Sequence, residues 1–211
     1  GRGVACGFWF NIGGQTCVDL NIGTDGTVNL AVGTVDVGGA RSSLAMIAAE
    51  ELGVGYDDVK VNVADTSSLG HNDTTEGSRG TFSSGMAAIF AARYAIELLK
   101  GRAAKMLDVP VEDIVWEHCE ARATGKGHSN LPKLSLKQIA AKSPNTGGPI
   151  AGHNEVVADG AGMGFAAHIC DLEVDQETGH TEIVRYTVVQ DAGKAINPDY
   201  VEGQFQGAAA Q

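Results

Sequence analysis

The sequence predicts an α+β fold in which mixed sheets carry two main helices. Three observations lead there. Alternating apolar and polar runs recur along the chain, as half-buried strands require. Two stretches switch to apolar spacings of three and four, the helical period. Strands and helices mix without strict strand–helix–strand alternation, which disfavours a doubly wound parallel sheet.

In chain order, residues 4–11 (VACGFWFN), 16–22 (TCVDLNI) and 27–34 (TVNLAVGT) read as strands. Asp25-Gly26 is a tight-turn pair between the second and third. Helical spacing takes over at 43–53 (SLAMIAAEELG), with Gly53 as its C-cap. Residues 59–63 (VKVNV) form another strand, and a polar loop runs from Asp65 to Ser84. The longest helix is expected from Gly85 to Leu107, with Ala88, Ala91, Ala92, Ala95, Leu98 and Leu99 on its apolar stripe. Residues 109–125 suggest a short turn and strand, and SLKQIAAK, from Ser135, a short helix. The segment 143–152 (SPNTGGPIAG) is rich in Pro and Gly and is the expected boundary, dividing the chain into 1–145 and 146–211. Beyond it, 164–175 and 181–191 form a strand pair, joined by a turn with Gly179 at a positive-φ position. Asn197-Pro198 then opens a last helix, Asn197 as N-cap and Pro198 at its first turn.

Bulk properties exclude several classes. The chain has 211 residues, enough for one large domain or two small ones with real cores. Its formal net charge is -11 and no Lys/Arg cluster appears, which argues against nucleic acid and a membrane surface as partners. No apolar run of membrane-spanning length and no signal peptide is recognised. Cys6, Cys17, Cys119 and Cys170 are scattered, unlike a zinc site, and read as buried free thiols in a reducing compartment. The six His are equally dispersed, and His168 reads as a packed or edge histidine.

Two loops share a physical design. TVDVGGARSS (34–43) and EGSRGTFSSG (76–85) each place Gly and Ser at a helix N-terminus. Unpaired N–H groups and the helix dipole favour an anion there, and missing side chains allow close approach. Ser78, Thr81, Ser83 and Ser84 could add hydroxyl donors, and Arg41 and Arg79 positive charge. Capping explains either loop alone; two together point towards a bulky polyanion. Neither has the spacing of a P-loop or a dinucleotide fold. Asp65, Asp73 and Glu76 are adequately explained by solvation, and Asp191 by ordering the turn after it. Small residues around Gln204, Gln206 and Gln211 suit either close packing or a ligand. No catalytic or metal constellation stands out by spacing.

Three segments in order carry a resemblance: DVGGARSSLAMIAAEELGV, DTSSLGHNDTTEGSRGTFSSGMA, and EVDQETGHTEIVRYTVVQDAGKAINPDYVEGQFQGAAAQ. Together they resemble the molybdenum-binding large subunit of the xanthine dehydrogenase, aldehyde oxidase and molybdenum carbon monoxide dehydrogenase family, over nearly the whole chain. The order and spacing are similar to part of that subunit's second half, a piece of a molybdopterin-binding domain. The resemblance implies a cofactor of molybdopterin and molybdenum, often in bacteria as the cytosine dinucleotide. It implies a parent oxidoreductase that hydroxylates aldehydes or N-heterocycles with oxygen from water. Implied partners are the rest of the large subunit, iron–sulfur and FAD subunits or domains, and a small-molecule substrate in the cytoplasm. By position, Gly38, Gly39 and Ala40 match the family's Gly-Gln-Gly loop at the pterin. Gly77, Ser78, Arg79 and Gly80 match the loop beside molybdenum and the pterin phosphate, and Gln211 matches a Gln that hydrogen-bonds the pterin. Gly39 and Ala40 depart from the Gln and second Gly, so one amide contact is missing. The family's general-base Glu is expected beyond Gln211, so no catalytic residue and no protein metal ligand is expected within the chain. The isolated 211 residues are expected to hold no cofactor. The competing expectation is a non-catalytic structural domain or degenerate homologue.

Overall fold

The computed structural model describes residues 1–63, 67–128, 130–159 and 162–211. The chain divides into two compact units, Gly13–Asp159 and the pair of segments Gly1–Ile12 and Gly160–Gln211.

The larger unit is built on a four-stranded sheet of β2 (Gly14–Ile22), β3 (Val28–Val32), β4 (Val59–Val63) and β8 (Ile150–Ala158), in the order β4-β3-β2-β8. β3 and β4 are parallel, which requires a crossover. Helix α1 (Ala40–Leu52) supplies it and ends at Gly53 with φ 79°. Helix α2 (Gly85–Leu107) covers the same sheet. Ala87, Ala88, Ala91, Ala92, Ala95 and Leu99 bury its inner stripe against the sheet residues Val18, Leu20, Leu30 and Ile150. Small side chains bring helix and sheet close. A Cβ on Gly152 would lie 2.1 Å from the carbonyl oxygen of Ala91.

With its entry turn the helical segment Gly80–Leu107 is long and apolar enough, by length and composition, to cross a bilayer. The expectation that no such run exists therefore fails, and the reason is visible: the alanine stripe is apolar because it is core.

A smaller antiparallel sheet joins β5 (Ile114–Glu117), β6 (Glu120–Ala123) and β7 (Leu134–Ser135). Trp116 Nε1 donates to the Leu52 carbonyl at 3.1 Å, which satisfies an end carbonyl of α1. Helix α3 (Leu136–Thr146) starts on a capping box between Ser135 and Gln138. It continues through Pro144, and Arg102 of α2 donates to the carbonyls of Thr146 (3.3 Å) and Gly147 (2.7 Å). The Pro/Gly-rich segment is therefore tied to α2, and β8 directly after it pairs along β2. Positions 145 and 146 do not separate the two units, whose division lies near residues 12 and 160.

The other unit is the antiparallel sheet β1 (Arg2–Phe10), β9 (Met163–Val174) and β10 (Thr181–Gln190), in the order β1-β9-β10, followed by α4 (Pro198–Ala210). Asp175 orders the β9–β10 turn by accepting from the Glu177 and Thr178 amides, and Gly179 sits at φ 74°. Asp191 accepts from the Gly193 amide, and Asn197 caps α4 with Pro198 behind it. Among its described residues none is buried, and Phe8, Trp9, Phe165 and Ile183 are each more than half exposed. A groove of about 890 Å³ separates β10 from α4, lined by Ile183, Tyr186, Val188, Val201 and Phe205. The thiols depart from expectation too: Cys17 is buried, Cys119 and Cys170 half-buried, and Cys6 exposed on β1.

Candidate functional site

The two glycine loops lie side by side on the larger unit. Thr34, buried at the end of β3, places Oγ1 3.0 Å from Thr75 Oγ1, and the Val35 amide donates to the same Thr75 oxygen at 3.2 Å. A Cβ on Gly33 would meet the Asn72 side chain at 2.5 Å, so the second loop lies directly on the first.

In the first loop Gly38 and Gly39 both take left-handed backbone, φ 62° and 79°. Their amides enter no turn or cap hydrogen bond among the described residues, and Gly39 caps α1 without a side chain. Asp36 takes up part of the helix N-terminus. Its Oδ1 accepts from the Arg41 amide at 3.0 Å and its Oδ2 lies 3.2 Å from Arg41 Nε. The Ala40 amide donates to the Val37 carbonyl and its side chain is buried.

The second loop is stitched to the start of β2. The Asp73 amide donates to the Gln15 carbonyl at 3.0 Å, and the Gln15 amide donates back to Asp73 Oδ2 at 2.6 Å. The Cys17 amide donates to Asn72 Oδ1 at 3.1 Å. Gly77 and Ser78 then occupy consecutive left-handed positions, φ 56° and 58°, unusual for serine. Among the described residues their amides also enter no hydrogen bond of the loop. A π turn, Gly80–Ser84, leads into α2, a feature that often marks functional segments.

Arg79 departs from the picture of an exposed charge. It is 3% exposed. Nε donates to the Gly13 carbonyl at 2.7 Å, Nη1 to the Asp73 carbonyl at 2.9 Å, and Nη2 to the Gln15 carbonyl at 2.6 Å and Thr16 Oγ1 at 2.7 Å.

Of the residues singled out from the sequence, the fold brings together Gly38, Gly39, Ala40, Gly77, Ser78, Arg79 and Gly80. Gln211 belongs to the other unit, where it follows α4 and its amide donates to the Gly207 carbonyl. Asp65 lies outside the described residues. Solvation does not account for Asp73, because Asp73 and Asn72 both hold the second loop. The available signal was a run of Asn, Asp and Thr ahead of a glycine, the composition of side chains that bond nearby backbone. Among the described residues no group of three or more His, Cys, Asp or Glu is arranged for a metal ion.

The Gln15 amide holds the Asp73 carboxyl below the ordinary carboxylate range, helped by the His71 ring and by the charge of Arg79. A depressed native pKa stabilises the fold above the unfolded value of about 3.9 and loses that contribution as pH falls through the native value. The melting temperature should therefore drop more steeply below about pH 4 in the native chain than in Asp73→Asn. Equal slopes in the two proteins would remove Asp73 from the acid response. Asp25, Asp171 and Asp175 are depressed as well, so only the difference between the slopes reports on this loop.

Comparison with known proteins agrees with this architecture. The family model described as "Molybdopterin cofactor-binding domain" matches residues 1–211. The carbon monoxide dehydrogenase large chain of Afipia carboxidovorans is 28% identical over 196 residues, which cover 92% of this chain and 24% of that one. The 6-hydroxypseudooxynicotine dehydrogenase complex subunit gamma of Paenarthrobacter nicotinovorans is 29% identical over 200 residues, 91% of this chain and 25% of its own. The crystal structure of the Cu,Mo-CO dehydrogenase in its carbon monoxide reduced state superposes with a TM-score of 0.84 at 27% identity, over 98% of this chain and 28% of that one. The chain thus spans about a quarter of the length of the curated relatives it matches. It belongs to the molybdopterin cofactor-binding domain family, the family of molybdenum-binding subunits to which these relatives point.

Proposed function

We propose that the paired glycine loops form one wall of the cofactor site, and that the main chain does the binding. The observation behind this is the coincidence of two left-handed pairs, Gly38-Gly39 and Gly77-Ser78, on adjoining loops, with amides uncommitted among the described residues. Such amides suit a ligand rich in carbonyl, ring-nitrogen and phosphate acceptors, and in this respect the residues present fit molybdopterin. Gly80 opens the π turn, and Ala40 begins α1, so both shape the wall. Gln211, in the other unit, matches the family's pterin-bonding Gln by sequence position alone. The proposal covers the cytosine dinucleotide form as well, whose added diphosphate supplies further acceptors of the same kind. When bound, the cofactor supplies two-electron chemistry that places oxygen from water on a substrate carbon. The chain's own residues bind and orient it.

The proposal extends to a parent oxidoreductase acting on an aldehyde or N-heterocycle in the cytoplasm. Its partners are the rest of the large subunit together with iron–sulfur and FAD subunits or domains. The competing reading, a domain that binds no cofactor, is favoured by one observation: both nearby arginines are already engaged, Arg41 with Asp36 and Arg79 with main chain.

Molybdenum and pterin content of the complete protein separates the two readings. The native protein should hold both, and Gly38→Val or Gly77→Val should lose most of them while keeping the native circular dichroism. A β-branched residue is strained at positive φ and blocks approach to the amides. Full molybdenum in both variants, or none in the native protein, would overturn the reading. The 211 residues alone should hold neither metal nor pterin.

A further inference from the structure

We infer that Arg79 is a positioning residue for the cofactor wall and not a ligand of the cofactor. The inference rests on the function proposed above. Its guanidinium uses Nε, Nη1 and both directions of Nη2 on three carbonyls and a hydroxyl, those of Gly13, Asp73, Gln15 and Thr16. Four of the five N–H donors of an arginine are thereby committed, on a side chain that is 3% exposed. Little of the group is left to face a ligand.

These bonds have a directional consequence. The acceptors lie on two segments: the start of β2 and the approach to the second loop. Ser83, one turn into the helical segment, donates to the same Gly13 carbonyl at 3.2 Å. Gly13, β2, the loop and the head of α2 thus meet at one node directly after Ser78. The Arg79 amide donates to the Glu76 carbonyl at 3.1 Å, closing the turn that contains Gly77 and Ser78. With both ends held, two consecutive residues are kept at positive φ, a conformation that serine adopts at a cost. The planar fork matters more than the charge. A lysine reaches with three donors from a single nitrogen and cannot span carbonyls arranged around a guanidinium plane.

The role separates from direct contact by experiment on the complete protein, made with cofactor and also in a host unable to make the pterin. Arg79→Lys and Arg79→Met should both lower pterin content at least about tenfold, the size expected when a supporting partner of a site is lost. In the cofactor-free protein both should speed exchange of the Gln15 and Asp73 amides by about tenfold or more, since a bond to a charged donor is lost. Thr16→Val, which removes one acceptor on a fully buried residue, should move both readouts in the same direction by a smaller factor, and it covers the case in which the arginine variants fail to fold. The inference is overturned if Arg79→Lys keeps native pterin content, because charge would then suffice. It is equally overturned if exchange in the cofactor-free variants matches the native protein, or if Thr16→Val speeds exchange with no loss of pterin. Absence of pterin from the native protein would instead sink the proposed function, while exchange in the cofactor-free protein would still report whether Arg79 holds the loop.

Discussion

Gly152→Ala should lower the melting temperature of the larger unit by roughly 6–12 °C. The added methyl would sit 2.1 Å from the Ala91 carbonyl oxygen and 3.0 Å from its carbon. These are helix backbone atoms, so no rotamer change relieves the clash, and α2 must move off β8. Overpacking of this kind costs about 1–3 kcal/mol, and a backbone neighbour places it at the upper end. In a domain of this size each kcal/mol shifts the midpoint by about 2–4 °C. Gly101→Ala on the same helix is the control. Nothing lies within 4 Å of its added Cβ, so alanine should stabilise by about 0.5–1 kcal/mol through helix propensity. Thermal melts of the two variants check the pair, and a Gly152→Ala melt like that of the native chain would show that helix and sheet are not in close contact.

Amide exchange should divide the 211-residue chain into two classes of protection. The hydrophobic core cluster, from Val18 to Ala158, lies entirely in the larger unit. Its β2 and α2 amides should exchange only through global unfolding. The strands β1, β9 and β10 carry long ladders, with one register shift between Ile183 and Arg185, but no buried side chain among the described residues. Their amides should open at free energies lower by several kcal/mol, because hydrogen bonds without apolar burial give little net stability. Mass spectrometry of peptides from residues 2–10 and 163–190 against 85–107 measures the difference. Uniform protection would mean that the sheet is stabilised by something other than its own side chains.

Much of this was legible in the sequence because it depends on neighbours. Turns at Asp25-Gly26 and Gly179, the Gly53 cap and the Asn197-Pro198 helix start all rest on local chemistry. β8 does not show in the sequence as a strand, for a specific reason. Its inward positions include Gly152 and Asn154 between Ile150 and Val156, so the apolar alternation is broken where α2 comes close. Its pairing with β2 joins residues such as Asp19 and His153, 134 positions apart. At the candidate site, glycine composition located both loops. The sequence could not show which way Arg79 turns, because its acceptors at Gly13 and Gln15 lie 66 and 64 residues upstream. Asp36 as the internal partner of the α1 N-terminus was equally invisible, since a short acidic side chain before a helix reads the same whether it faces water or the cap.

The π turn at Gly80–Ser84 bears on how this loop can change between relatives. A π turn holds one residue more than an α turn, and each helical residue advances about 100° around the axis. If α2 and its alanine stripe stay in place, deleting one residue there swings Arg79 and Ser78 by about that angle and breaks the bonds of Arg79 to Gly13, Gln15 and Thr16. Because Ser83 and Ser84 are fully buried and Arg79 is bonded to the start of β2, a single-residue gap or insertion in this short segment has to rebuild that junction as well as the glycine loop. In an alignment of relatives, gap placement at 80–84 should report site divergence more directly than substitutions in the glycines themselves.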